Sequence, residues 1–287
     1  MKINITHNDK YYKVDLNQGK SIAITLDFNQ HQPNHFDAEP ALRTPMSVDG
    51  FIGDTRQSGS CNVNVLSFNP HCNGTHTETV GHICHIDDNQ TTTIDQLAPP
   101  LLIPVSLVTI APQNALLQSE PYVVDYAEND VVITKSQLAH HLDHIHDSEL
   151  TSLIIRTLPN NAAKRYQRYS EDAPNAFLTT SAIEYILARG VEHLVVDMPS
   201  IDKMHDNGLL NNHHIFWQVE QGMRVVNNKT RANCTITELA YIESSITDGF
   251  YFISLQTPAF VNDAAPSRPT LFKPEASAQS STAVFKE

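Results

Sequence analysis

Basic side chains are in short supply: 19 Lys and Arg stand against 32 Asp and Glu in 287 residues, a formal net charge of −13. A chain this acidic repels phosphate backbones and anionic lipid headgroups, so neither nucleic acid nor membrane partners are expected. Long apolar runs are missing as well. No stretch approaches the roughly 20 apolar residues of a membrane span, and the opening "MKINITHNDKYYKVDL" lacks the apolar core of a secretory signal. The expected address is cytoplasmic. Cysteine is sparse too: Cys61, Cys72, Cys84 and Cys234 form no CxxC pair and cannot build a disulfide scaffold, which leaves free thiols with at most one ligand among them. No internal repeat and no linker break the chain. With 40% apolar residues and roughly 100 to 200 residues per domain as a guide, it reads as one α/β domain, residues 1–272, followed by a small, polar, aperiodic tail, 273–287.

Alternation around Val14, Leu16, Ile22, Ile24 and Leu26 predicts two strands joined by a turn at Asn17 to Gly19. "CNVNVLSFNP" is a further strand, and "LLIPVSLVTI", rich in branched residues, a buried one. "ITKSQLAHHLDHI" has helical spacing through Leu138, Leu142 and Ile145. The order "ELTSLIIRT", "LTTSAIEYILARG", "VEHLVVDMPSID" is strand, amphipathic helix closed by Gly190, strand. Such a βαβ unit implies a parallel pair with a right-handed crossover. "CTITELAYI" and "GFYFISLQTPAF" supply two more strands.

What the chain has in quantity is histidine, 15 in all, the commonest metal ligand and the side chain that titrates nearest neutrality. The stretch "HCNGTHTETVGH", residues 71 to 82, concentrates them. Cys72, His76, Glu78 and His82 occupy even positions, so in an extended chain they share one face; in a helix, at about 100° per residue, they would split. Gly74, Thr75, Thr77, Thr79 and Val80 disfavour helix, so the extended reading is preferred. Thiolate, imidazole and carboxylate together suit zinc at about 2.0 to 2.3 Å. Two other readings stay open here: Cys72 as a nucleophile with a histidine base, which a neighbouring carboxylate opposes, and a polar loop whose histidines cap turns.

Other candidates follow a buried strand, where open α/β sheets place functional groups: Asp197, Ser200, Asp202, His205, His213 and His214. Glu238 lies in an otherwise apolar and Thr-rich strand, where a carboxylate needs a cation or several donors. His140 and His144 have the i, i+4 spacing of a helical metal clamp but no HExxH frame, and are read as a solvated face. Phe28, His31, His35 and Phe36, in a Pro-punctuated loop, are candidates for a pocket wall.

"NGTHTETVGH", "SLIIRT", "ARGVEHLVVDMPSID" and "ITELAYI", in this order, resemble the metal-dependent cyclase family that includes bacterial kynurenine formamidase and isatin hydrolase. The resemblance covers about residues 12 to 272. It implies a swivelling β/β/α fold, a mixed sheet or barrel flanked by helices, assembled as a homodimer or homotetramer. Carried over by position, Cys72 takes the place of the first histidine ligand, His76 is the second, Glu78 replaces an aspartate, and His82 is the catalytic histidine. His213 or His214 is the later ligand, His214 preferred because "HHIFW" looks like a histidine opening a helix, and Glu238 is the late glutamate with both ligand and catalytic roles. Val80 stands where the family has proline.

The function so implied is hydrolysis of a small amide, formamide or lactam, arylformamidase-like, by a metal-bound hydroxide with His82 as general acid/base. One or two zinc ions are expected, the Cys72 sulfur disfavouring manganese. The alternatives are a catalytically silent metal or small-molecule binding protein on the same scaffold and a cysteine-dependent hydrolase.

Overall fold

The computed structural model describes residues 1–86 and 92–276. Its centre is a nine-stranded mixed sheet. In chain order its strands are β1 (Lys20–Ser21), β2 (His76–Glu78), β3 (Ile103–Ile110), β4 (Ser152–Thr157), β5 (His193–Val196), β6 (Thr235–Glu238), β7 (Gly249–Ser254), β8 (Ala264–Pro266) and β9 (Thr270–Phe272). In space they run β8-β2-β6-β5-β4-β3-β7-β9-β1. The adjacent strands β3, β4, β5 and β6 are parallel, and antiparallel strands extend the sheet on both sides.

Burial on both faces is what the branched apolar runs of the parallel strands provide for. Val108, Ile110, Leu153, Ile155, Leu194 and Val196 enter one core, while Leu107, Ile154 and Val195 point into the other. The first core is completed by α2 (Lys135–Leu142), α3 (Thr180–Ala188) and α4 (Asn211–Trp217), α1 being a single turn at Pro70–Asn73. Thr134 and Gln137 form a capping box on α2. Thr179 caps α3, and Gly190, at φ +74°, closes it. β4, α3 and β5 are the βαβ unit read from the sequence. A mixed sheet flanked by helices is the expected α/β class, and no helix among the described residues is long and apolar enough to cross a membrane.

The N-terminal pair of strands differs from expectation. Lys10–Asp15 pairs with Lys2–His7, not with its successor, because the Asp15 carboxylate accepts from Asn17 N–H (3.0 Å) and turns the chain into a 3-10 segment. The second strand is only β1, which pairs with β9. Within the stretch expected as a tail, Glu275 and Ala276 pair with Lys13 and Tyr12. The remainder, 277–287, lies outside the described residues.

Two polar groups inside the sheet bear on stability. Lys164 Nζ lies 2.7 Å from Asp197 and bonds to Thr157, so Asp197, a candidate functional residue in the sequence, is committed to a buried ion pair at the ends of β4 and β5. His193 is buried, with Nδ1 2.9 Å from Thr235 Oγ1. Burial and the nearby Arg231 push its pKa down from 6.5 to about 4. The unfolded chain therefore takes up the proton first, and stability is full above about 6.5 and lost as pH falls toward 4. In urea titrations between pH 7 and 4.5, wild type should lose stability relative to His193→Gln by up to about 1.4 kcal/mol per pH unit; a difference independent of pH would contradict a neutral buried His193.

Candidate metal centre

The stretch around residues 71 to 82 is built from three short pieces. Asn69 accepts from His71 N–H (3.0 Å) and starts the turn α1, with Pro70 in its first position. The chain then extends through Gly74 into β2. Thr79 caps a 3-10 turn, Val80–His82, that presents His82. Gly81 is required there, since a Cβ would lie 2.1 Å from the Thr92 carbonyl oxygen.

Strand register then collects the carboxylates. β2 pairs with β6 so that His76 is opposite Glu238, and Glu78, two residues on, shares their face. Thr77 and Thr237 meet on the other face, their hydroxyls 2.8 Å apart. The segment entering β8 brings in Asp263, and α4 brings in His213.

Glu78, fully buried, is the hub. Its Oε1 accepts from His213 Nε2 at 3.0 Å, and its Oε2 is 3.2 Å from His71 Nδ1 and 3.9 Å from His82 Nδ1. His71 Nε2 bonds to Asp263 (2.9 Å), which also holds His82 Nδ1 (3.4 Å). Glu238 lies 3.6 Å from His76 Nε2 and 3.7 Å from His213 Nε2, and is fixed by Ile201 N–H (2.9 Å). Asp202 does two jobs. It accepts from the backbone N–H groups of Asn212 and His213 at the start of α4, and it holds His213 Nδ1 at 2.5 Å. A carboxylate on one histidine nitrogen, with the other nitrogen facing a ligand cluster, is the arrangement that orients a metal-binding imidazole.

The donors fit a cation. His76 Nδ1 donates to Gly74 O (3.0 Å), so its Nε2 carries the lone pair. That Nε2 and Glu78 Oε2 are both buried without a hydrogen-bond partner, which a folded protein tolerates poorly unless something else satisfies them. His71, His76 and Glu78 each offer a donor atom within 4.8 Å of the others, as do Glu78, His82 and His213, and His71, His82 and Asp263. Without a metal, protons fill the positive role. Burial opposes charge on His71, but Asp263 and Glu78 raise its pKa to about 10; burial likewise opposes His213⁺, yet Glu78 and Asp202 hold it well above its usual value. Burial would raise Glu78, and the imidazoles of His82 and His213 bring it well below the carboxylate range.

The sequence had named His76, Glu78, His82 and Glu238, and the structure brings these together. Cys72 lines the cavity that opens on the cluster, but its sulfur joins none of the close donor groups among the described residues. Because α1 is a helical turn and not extended chain, alternation fails there, and it is His71 that comes within ligand distance of His76 and Glu78. Burial together with Glu238 raises the pKa of the Cys72 thiol. His214 is also displaced: its Nδ1 bonds to Val219 O (3.1 Å) and its Nε2 accepts from Arg224 (3.0 Å), so both nitrogens are engaged and His213 faces Glu78. The preference for zinc over manganese rested on sulfur, and a nitrogen and oxygen donor set removes that ground. Asp263 was missed; only the β2–β8 pairing joins it to a motif 181 residues away. A cavity of about 610 Å³ opens on the cluster, lined by His71, His82, His213 and Glu238 and by His35 and Phe36. Phe28 and His31 are not in its wall, and His140 and His144 are exposed.

The model of the putative cyclases matches residues 14–203, and the chain belongs to the cyclase family. Among solved structures, an isatin hydrolase bound to the product analogue thioisatinate superposes with a TM-score of 0.60 at 14% identity, covering 90% of this chain and 93% of that one. Isatin hydrolase A from Ralstonia solanacearum gives 0.58 at 15% (89% and 91%). A predicted metal-dependent hydrolase from Bacillus stearothermophilus gives 0.56 at 17% (89% and 98%). No curated protein sequence matches the chain. At these identities the likeness establishes the fold.

The geometry predicts that His71→Ala and His76→Ala each weaken zinc or manganese binding by more than about 100-fold, the scale that outer-shell losses already reach, while Cys72→Ala stays near wild type. Calorimetric titration of the metal-free protein checks this; equal losses for Cys72→Ala and His71→Ala would return the sulfur to the site.

Proposed function

We propose that the protein is a metal-dependent hydrolase that opens a small amide, formamide or lactam, its cation held by His71, His76 and Glu78 and, across Glu78, by His213 and Glu238. The observation that carries this reading is His76 Nε2 and Glu78 Oε2, both buried without a hydrogen bond, the latter only in ion-pair range of His71 (3.2 Å) and His82 (3.9 Å), beside a cavity sized for a small ring compound. Membership of the cyclase family and the likeness to isatin hydrolases support it. Imidazole and carboxylate donors suit zinc or manganese. A divalent cation there supplies Lewis acidity and, from water, a nucleophile at neutral pH.

The chain's own residues do the rest. Asp202 fixes the His213 ring, and the Ile201 N–H fixes Glu238, so neither has to reorganise during reaction. Glu78 directs one oxygen toward His71 and the other toward His213, so it would offer a cation a donor atom on either side. His82, partly exposed at the cavity and oriented by Asp263, passes a proton to the leaving nitrogen. This role for His82 predicts that His82→Ala lowers kcat by about 10²- to 10⁴-fold on N-formylaniline, isatin or phthalimide, with metal content unchanged by elemental analysis. Hydrolysis retained by that variant would remove the proton-transfer role. Stoichiometric metal without turnover of any of these compounds by wild type would favour the silent binding protein instead.

A further inference from the structure

We propose that His35 is a substrate-recognition residue whose imidazole reads an uncharged hydrogen-bonding group of a planar ring compound seated against Phe36 and Met204, which line the same cavity. The inference deepens the hydrolase reading, since it takes the same cavity as the substrate site. His35 is 3% exposed, and neither of its ring nitrogens has a hydrogen-bond partner. It nevertheless lines the cavity that opens on His71, His82 and His213. Other buried histidines are treated differently: His193 meets Thr235, and His214 meets Val219 and Arg224. An imidazole desolvated by folding with nothing to bond is costly for the free protein; both nitrogens are sealed off in this conformation, and a rotation of the ring toward the cavity brings one within reach of a ligand.

Burial, with the influence of His76 and His205, pushes the His35 pKa down to about 4, so the ring is neutral and offers one donor and one acceptor. The neighbouring backbone is strained in a way that shapes the wall. Phe36 and Asp37 adopt left-handed conformations, φ 55° and 49°, which a bulky aromatic rarely does outside functional turns. Phe36 is thereby held 58% exposed, its ring 4.0 Å from that of His35 and 6.4 Å from that of His205. The turn is anchored by Asn34, whose Nδ2 donates to Ala38 O (2.7 Å) and whose carbonyl accepts from Tyr169 N–H (2.9 Å).

The charged groups of this wall are already committed. Lys203 Nζ is 2.7 Å from Asp130 and donates to Asp125 O (2.8 Å), and Asp206 accepts from the Leu209 and Leu210 N–H groups. The end of a ligand far from the metal cluster therefore meets aromatic surface and a neutral imidazole. A cyclic imide or lactam fits that chemistry better than an anion does.

The test uses metal-loaded protein carrying His82→Ala, so that the probe is bound but not opened, and measures the Kd of phthalimide by calorimetry with benzoate as the anionic control. Adding His35→Phe should weaken phthalimide binding about five- to tenfold, the value of one hydrogen bond, and His35→Gln should recover most of it. Benzoate should bind all three within about twofold. The free His35→Phe protein should melt no lower than its parent, because an unsatisfied polar group has been removed. Unchanged phthalimide affinity in His35→Phe, absence of phthalimide binding to the parent, or a Tm drop with equal loss for both ligands overturns the proposal. Binding in this pattern without turnover by wild type would instead count against the hydrolase reading and leave His35 its role.

Discussion

A carboxylate with no exposed surface cannot stand alone, and Glu78 is such a group at the end of β2. Desolvation would force it to protonate unless positive charge surrounds it. The surrounding architecture supplies that charge: His71 from a helical turn, His82 from a 3-10 turn, and His213 from α4 converge on its two oxygens. Further carboxylates lie behind two of these imidazoles, Asp263 behind His71 and Asp202 behind His213, and Asp263 also meets His82 Nδ1. In that frame a divalent cation and bound protons compete for the same positions, so metal binding is coupled to proton release.

The scaffold makes the convergence rigid. β2 is only three residues long, but pairing with β6 on one side and β8 on the other sets His76 and Glu78 beside Glu238 and brings Asp263 close. α4 is fixed relative to the sheet by Asp202, which caps the helix and orients His213 with the same carboxylate. Tyr122 donates to that carboxylate from a separate segment at 2.5 Å. Loss of any of these local features would move a donor atom without disturbing the main core.

Much of this was legible in the sequence, and the limits were physical. β3 to β6 and the βαβ unit announced themselves as branched apolar runs separated by a capped amphipathic helix. His76 and Glu78 were readable because they lie on a real strand, where alternation holds. Alternation does not carry through to Cys72, because Asn69 and Pro70 start a helical turn, and a turn rotates side chains by about 100° per residue, not 180°. The choice between His213 and His214 depended on Val219 and Arg224, neighbours from the chain beyond α4 that only folding brings to His214. Asp263 carries no local signal, since its role arises from strand pairing alone. His35 sat in a Pro-punctuated loop whose packing against Tyr169 and His205 no periodicity reports.

The central claim is that imidazole and carboxylate donors grouped around Glu78, without the sulfur of Cys72, hold a divalent cation. X-ray absorption at the metal edge, on protein loaded with one equivalent of zinc, tests it most directly. The predicted result is a first shell of nitrogen and oxygen alone at about 2.0 to 2.2 Å. A sulfur scatterer at about 2.3 Å, or zinc that washes out to sub-stoichiometric occupancy, would contradict it.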